Sequence, residues 1–213
     1  MTKSASHSGS SKARLEAFSD GVFAIAITLL VLDLAVKPGG SPLHEFLSAW
    51  PTYVGYVVSF ITIGVAWIGH SAITDELTKV DAVFLRLNLL LLLFVVFLPY
   101  PTKLVTDGFG DREAERVAVT VFGLTLLLIR LMNVALDRYA QTEGLYSADA
   151  DDAELAQARS KSLSGVLLYG AAIVVGLVLP GVAVAVYFAI ALYLAIPWRH
   201  VARMLGRRPT ASL

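Results

Sequence analysis

The chain has 213 residues, of which 56% are hydrophobic and 16% are charged, and its mean hydropathy is +0.69. Soluble proteins carry about 25% charged residues, so this composition argues against a soluble enzyme and indicates a membrane protein. Seventeen basic residues balance seventeen acidic ones, which gives no net charge to favour nucleic acid, and the absence of cysteine excludes disulfides and thiolate metal sites.

Six apolar segments follow one another, each close to the length of a membrane-spanning helix. The predicted spans cover about residues 13–36, 46–70, 80–104, 116–139, 163–179 and 181–198. They are preceded by a polar tail, residues 1–12, that is typical of disorder, and followed by a basic tail, residues 201–213. The sequence therefore predicts an all-α membrane protein with one six-helix domain over residues 13–200.

Prolines and glycines mark the predicted breaks between these helices. Pro99 and Pro101 are expected to end the third span, and Pro180-Gly181 is expected to form the tight turn of a hairpin between the last two. Residues 137–162 mix acids, bases and alanine, so we expect them to extend the fourth and fifth helices around a turn near Gly144.

The distribution of lysine and arginine predicts the orientation in the membrane. Thirteen of these residues lie in the two tails, in the second and fourth loops, or in the adjoining helix ends, and four lie on the opposite side. Both termini are therefore expected in the cytoplasm, which agrees with an even number of spans. Within the fourth span, Arg130 is interpreted as a structural anchor whose charge snorkels to the cytoplasmic interface.

The first span carries the most regular pattern. At about 100° per residue, one of its faces is a smooth apolar stripe with a single hydroxyl at its edge. The stripe comprises Phe18, Gly21, Ile25, Leu29, Leu32 and Val36, with Thr28 at the edge. Ser19 and Asp20 point well away from it. A carboxylate in this position needs a partner within the protein, because lipid provides none. Alone, such a stripe is more typical of a helix-packing surface than of a pore.

The segment from Arg14 to Asp20 reads R-x-x-x-F-S-D. Its position at the start of the first of six spans resembles the signature of the transmembrane protein 175 family, with Arg14, Phe18, Ser19 and Asp20 as the motif residues. This family comprises endolysosomal potassium channels and single-repeat prokaryotic relatives, and this chain resembles the prokaryotic branch. The resemblance implies a homotetramer in a prokaryotic cell membrane, with a central pore lined by the first helices, K⁺ as the permeant ion and no cofactor.

The resemblance also assigns roles within the pore. The narrowest position in the family lies seven residues after the motif phenylalanine, which is Ile25 here, followed by Thr28, Leu29 and Leu32. No T-V-G-Y-G loop is present to coordinate K⁺ through carbonyl oxygens. Rings of Ile25 and Leu29 would restrict the pore and act as a hydrophobic gate, while Thr28 hydroxyls or retained water would contact the monovalent cation.

The motif residues are interpreted as structural rather than conducting. Ser19 and Asp20 are expected to bond polar groups on the second and third spans, and the available partners are His70 and Asn88, with Trp67 packed against the same cluster. Arg14 is expected to form a salt bridge near the cytoplasmic end.

The main alternative is a cation- or proton-coupled secondary transporter. Such proteins place carboxylates near the membrane midplane within inverted repeats, whereas Asp20 lies near one end of its span and no internal repeat is evident. An intramembrane enzyme built on His70, Ser71, Asp75 and Glu76 is less favoured, because these residues begin a loop and form no catalytic motif.

Overall fold

The computed structural model describes residues 3–34, 41–108, 110–150 and 152–196, and in these ranges the regular elements are helices. The helices are α1 (Lys3–Leu29), α2 (Pro42–Ser48), α3 (Trp50–Thr74), α4 (Ala82–Phe97), α5 (Pro99–Asp107), α6 (Arg112–Thr142), α7 (Asp152–Val178) and α8 (Pro180–Ala195). A 3-10 helix, Leu30–Leu34, continues α1. The basic tail at residues 201–213, the last residues of the sixth predicted span, and Val36 lie outside the described residues.

Four helical segments are long and apolar enough to cross a membrane: Ser11–Leu32, Trp50–Thr74, Ala82–Asp107 and Arg112–Thr142. Two further apolar helices, Leu163–Val178 and Pro180–Ala195, are shorter. The prediction of an all-helical, multi-pass membrane protein is therefore confirmed. The last two of the six predicted spans are apolar helices that fall short of the roughly 20 residues that a perpendicular span requires.

The third predicted span does not end at its prolines. The helix breaks at Leu98, whose backbone N–H donates to the Val95 carbonyl at 3.2 Å, and it resumes as α5 from Pro99. The helical path does not stop there, because the N–H that proline lacks is not needed in the first turn of a new helix. Pro99 therefore opens a helix rather than closing one.

The same reasoning corrects the hairpin between the last two helices. Pro180 is the first residue of α8, and Leu179 alone separates it from α7, so the turn lies one residue earlier than predicted. The turn near Gly144 is confirmed, since this glycine has φ +58° and follows the C-terminal end of α6. At the other end of the chain, α1 begins at Lys3 and includes residues that the sequence assigns to a disordered tail.

The arrangement of the helices leaves α1 at the edge of the subunit. α6 packs against α4, α5, α7 and α8, whereas α1 packs against α3 and α4. The inner face of α1 contributes Phe23, Ala26 and Leu30 to the apolar core, where Phe84 and Leu91 of α4 are also buried. One side of α1 is therefore packed and the other faces away from its own subunit.

Close packing of α6 against α8 depends on a glycine. The Tyr187 hydroxyl of α8 donates to the Val119 carbonyl at 3.1 Å, and its ring lies over Gly123. A Cβ at Gly123 would lie 2.7 Å from Cζ of Tyr187 and 2.8 Å from Cγ1 of Ile173. Small residues allow this approach of helix backbones in membranes.

We expect Gly123→Ala to lower the free energy of unfolding by about 1–3 kcal/mol, the usual cost of overpacking. Thermal unfolding of the detergent-solubilised protein measures this loss. Gly170→Ala is the matched control, because a Cβ there meets nothing within 4 Å. The control should be neutral or slightly stabilising, and an equal loss in both variants would show that steric contact with Tyr187 is not the cause.

Candidate pore helix and its supporting contacts

The face of α1 that points away from the subunit carries the apolar stripe. Phe18, Ile25, Leu29 and Leu32 are exposed, and the exposed fractions of Ile25 and Leu32 reach 57% and 70%. Gly21 is also exposed. Because the opposite face of α1 is packed, this stripe must contact either lipid or other copies of a protein.

Thr28 adds an oxygen atom to this apolar face. Its side chain is exposed, and its hydroxyl donates to the Ile25 carbonyl of the preceding turn at 2.8 Å. The hydrogen is therefore used within the helix, and the lone pairs of the oxygen remain available as an acceptor or as a cation ligand.

Behind the stripe, a chain of hydrogen bonds joins α1 to α4 and α3. Ser19 is fully buried, and its Oγ accepts from Nδ2 of Asn88 at 3.0 Å. The Asn88 Oδ1 lies 2.7 Å from Nε2 of His70. Since the amide oxygen can only accept, His70 donates through Nε2. The ring of Phe23 lies against His70, with 5.5 Å between the ring centroids.

Asp20 is held separately, at the surface of the subunit. Nε1 of Trp67 on α3 donates to its Oδ1 at 2.8 Å, and both side chains are partly open to the outside. The structure thus brings Ser19 and Asp20 into contact with Trp67, His70 and Asn88 through two hydrogen-bond systems on adjacent faces of α1.

Within the part of the chain that the structure describes, no salt bridge of Arg14 is seen. In the described ranges, the ion pair on α1 joins Lys12 to Glu16 at 3.6 Å, and Arg14 is exposed without one. Lys12 also donates to the carbonyl of Asp75 at 2.6 Å, at the C-terminal end of α3. Lys12 therefore joins the N-terminal part of α1 to the C-terminal end of α3.

Sequence reasoning missed a polar cluster beside the loops that follow α3 and α6. Arg159 of α7 binds both carboxylate oxygens of Asp137, at 2.7 and 3.0 Å, and the Tyr146 hydroxyl donates to the same carboxylate at 2.9 Å. Burial, followed by the charge of Asp137, raises the pKa of Tyr146. A β-bridge between Leu77 and Tyr146 joins the loop after α3 to the loop after α6. These pairs are far apart in sequence and leave no periodic signal.

Asp81, which also lies near these loops, could have been recognised as a helix cap from the sequence next to it. Asp81 precedes α4 and caps it by accepting from the amides of Val83 and Phe84, at 3.0 and 2.8 Å. Its second oxygen accepts from the Tyr139 hydroxyl at 2.7 Å. The hydrogen bond from Phe84 is the main reason that the pKa of Asp81 is lowered. An aspartate directly before an apolar run is a typical N-cap, so the capping role was readable from the sequence.

The site offers no catalytic geometry. His70 is committed to Asn88, and within the described residues no group of three or more His, Cys, Asp or Glu side chains is placed to hold a metal ion. An exposed apolar helix face of this kind contacts either lipid or another protein surface in a membrane. Together, fold and site define a multi-pass helical membrane protein with an unpaired apolar face on its first long helix.

Comparison with known proteins identifies the family. Residues 14–99 match the family model described as endosomal/lysosomal potassium channel TMEM175. A potassium channel of Streptomyces collinus is 41% identical over 126 residues, which cover 58% of this chain and 61% of that protein. A potassium channel of Chamaesiphon minutus is 36% identical over 86% of this chain and 93% of its own length.

A solved structure agrees with these sequence matches. The crystal structure of a lysosomal potassium-selective channel TMEM175 homolog from Chamaesiphon minutus superposes with a TM-score of 0.78 and 34% identity, covering 87% of this chain and 97% of that one. The chain belongs to the TMEM175 family, and the resemblance inferred from the motif Arg14 to Asp20 is confirmed.

Proposed function

We propose that four copies of this chain surround a central axis and that the exposed stripe of α1 lines a pore along it. Membership of the TMEM175 family makes the chain a potassium-permeable channel and not an enzyme. The observation that carries the pore assignment is the exposed apolar face of α1, opposite a face packed on α3 and α4. Closed fourfold symmetry would turn each residue of this face into a ring.

The chemistry of such a pore differs from that of a carbonyl-lined filter. Rings of Ile25 and Leu29 would offer a permeating ion no ligands, so they act as a size restriction and as a gate that loses water when narrow. Leu32 would continue the apolar lining beyond them. Thr28 supplies hydroxyl oxygens whose own hydrogens are already donated to the helix backbone.

The motif residues then support the pore helix rather than conduct. Buried hydrogen bonds from Ser19 through Asn88 to His70 fix the rotation of α1 about its axis. Trp67 holds Asp20 on an adjacent face. If α1 rotated so that Ile25 no longer faced the pore axis, these hydrogen bonds would break. The polar cluster behind the apolar stripe therefore opposes such a rotation.

The topology of the proposal has six spans with both termini in the cytoplasm of a prokaryotic cell. Four long helices provide the first spans, and α7 and α8 form a final hairpin. The distribution of lysine and arginine supports this orientation. Exposed apolar residues of α7 and α8, such as Leu167 and Val174 on α7 and Val182 on α8, suit contact with lipid.

The direct test combines assembly and flux. Native mass spectrometry of the purified full-length chain should give a tetramer, and liposomes that contain it should take up potassium down its gradient without a coupled ion. Uptake that saturates and requires a counter-transported ion would favour a secondary transporter. A monomer or dimer that conducts would overturn the fourfold pore.

Thr28→Ala tests whether the hydroxyl contacts the permeating ion. We expect the potassium-over-sodium permeability ratio to fall by about two- to fivefold, since a single polar contact is worth on the order of 0.5–1 kcal/mol. Reversal potentials under mixed potassium and sodium measure the ratio. Thr120→Ala is a control in which a similar side-chain-to-backbone bond is removed from α6. An unchanged ratio in Thr28→Ala would remove this hydroxyl from selectivity.

A further inference from the structure

Arg130 lies inside the helix bundle and does not snorkel to the interface as predicted. Its side chain is only 2% exposed, and it stands 12 residues before Thr142 at the end of α6, about 18 Å along the helix axis. It fits there because α7 has a glycine opposite: a Cβ at Gly165 would lie 3.2 Å from Cδ and 3.3 Å from Nε of Arg130.

Two of the three nitrogen atoms of this guanidinium lack a hydrogen-bond partner in the part of the protein that the structure describes. Among the described residues, neither Nε nor Nη2 of Arg130 has a hydrogen-bond partner, and the same holds for the buried hydroxyl of Tyr169 on α7. The Tyr169 hydroxyl lies beside the guanidinium and beside the Thr62 side chain, but neither contact meets the distance and angle of a hydrogen bond at Nε or Nη2 of Arg130 or at the Tyr169 hydroxyl. Unpaired buried donors are costly, so such a group calls for a ligand.

The charge of Arg130 is also uncompensated. The sequences of α3, of residues 163–178 of α7 and of α8 contain no aspartate or glutamate. The nearest acid on α6 is Asp137, seven residues further on, and Arg159 already binds both of its oxygens. Among the ion pairs of the described residues none includes Arg130, and because arginine keeps its charge in proteins, an anion from outside the chain would supply the counter-charge.

We propose that Arg130 and Tyr169 form an internal site for a small inorganic anion, such as chloride, at the contact of α6 with α7. The donors are Nε and Nη2 of Arg130 and the O–H of Tyr169. The nearby Asn133 is not part of the site, because its Oδ1 faces α3, 3.9 Å from where a Cβ of Gly69 would lie. An anion here supplies the counter-charge and accepts from donors that the protein leaves unpaired.

The test compares the full-length purified protein in potassium chloride and in potassium gluconate at equal ionic strength. Chloride binding to the folded state should raise Tm by about 2–4 °C, whereas gluconate is too large to enter. Arg130→Gln and Tyr169→Phe should lose or reduce this chloride dependence. Arg138→Gln, an exposed arginine on the same helix, is the matched control and should keep it.

A crystal of the unmodified protein grown in bromide gives a second measurement that does not depend on the folding of a variant. An anomalous peak beside the Arg130 guanidinium would support the proposal. Equal Tm values in the two salts together with no bromide peak would overturn it and would leave water as the partner of these donors. A chloride dependence that Arg130→Gln retains would also overturn it, since the anion would then bind elsewhere.

Discussion

Replacing Ile25 with asparagine should raise potassium flux through the reconstituted protein by about tenfold, which corresponds to a barrier lower by about 1.4 kcal/mol. Ile25 is 57% exposed on the face of α1 opposite the packed core, where four copies would form an apolar ring. An ion that crosses such a ring loses part of its hydration and gains no ligand. Asparagine would supply four amide oxygens and would keep the constriction hydrated.

The measurement is potassium uptake into liposomes at equal protein content, with tetramer formation verified for each variant. Leu167→Asn is the matched control, because Leu167 is an exposed apolar residue on α7, away from α1. It should leave flux unchanged. If Ile25→Asn conducts at the original rate, the constriction lies elsewhere; if neither the original protein nor this variant conducts potassium, the pore assignment itself fails.

The rotation of α1 was largely predictable from its sequence. Two of its faces are apolar, since Phe23, Ala26 and Leu30 are as hydrophobic as the stripe that contains Ile25. The two faces differ in the polar residue that lies next to them. Ser19 lies next to the face of Phe23, Ala26 and Leu30, and because its hydroxyl needs partners inside the protein, this face is the packed one. Helical periodicity then places the stripe on the outside. This inference needs only residues within one helix, which is why it was accessible.

Helix ends were less predictable, because proline is ambiguous in a sequence. Pro99 and Pro180 were read as ends or turns, and each in fact occupies the first turn of a new helix. The missing N–H is compatible with both readings. The sequence alone could not decide, since the choice depends on what the following segment packs against.

Contacts between distant helices were beyond sequence reasoning. Arg130 was expected to snorkel because arginine is long and the helix end is near, but its burial depends on Gly165, which lies on another helix. The pairing of Asp137 with Arg159 likewise follows from how α6 and α7 meet beyond Gly144. Neither pair shares a period or a motif, so the tertiary structure was needed to find them.

Asn88→Leu should destabilise the folded protein by about 2 kcal/mol and reduce the yield of assembled channel. Asn88 is 2% exposed and forms hydrogen bonds with both Ser19 and His70. Its replacement by leucine removes both bonds and leaves these two buried polar side chains without that partner. Inter-helical hydrogen bonds in membranes average about 0.6 kcal/mol, with a maximum near 1.7, and the unpaired groups add to this loss. Thermal unfolding and size-exclusion chromatography measure stability and assembly.

A double-mutant cycle separates the hydrogen bond from simple repacking. If Asn88 and His70 act through their bond, the losses from Asn88→Leu and His70→Ala should overlap by about 1 kcal/mol, because either change removes the same interaction. Leu89→Ala, at an exposed neighbouring position, should cost less than either. Strictly additive losses would mean that the two residues stabilise α1 independently. The rotation of the pore helix would then depend on the apolar packing of Phe23, Ala26 and Leu30, and the polar chain behind the stripe would not be what orients Ile25.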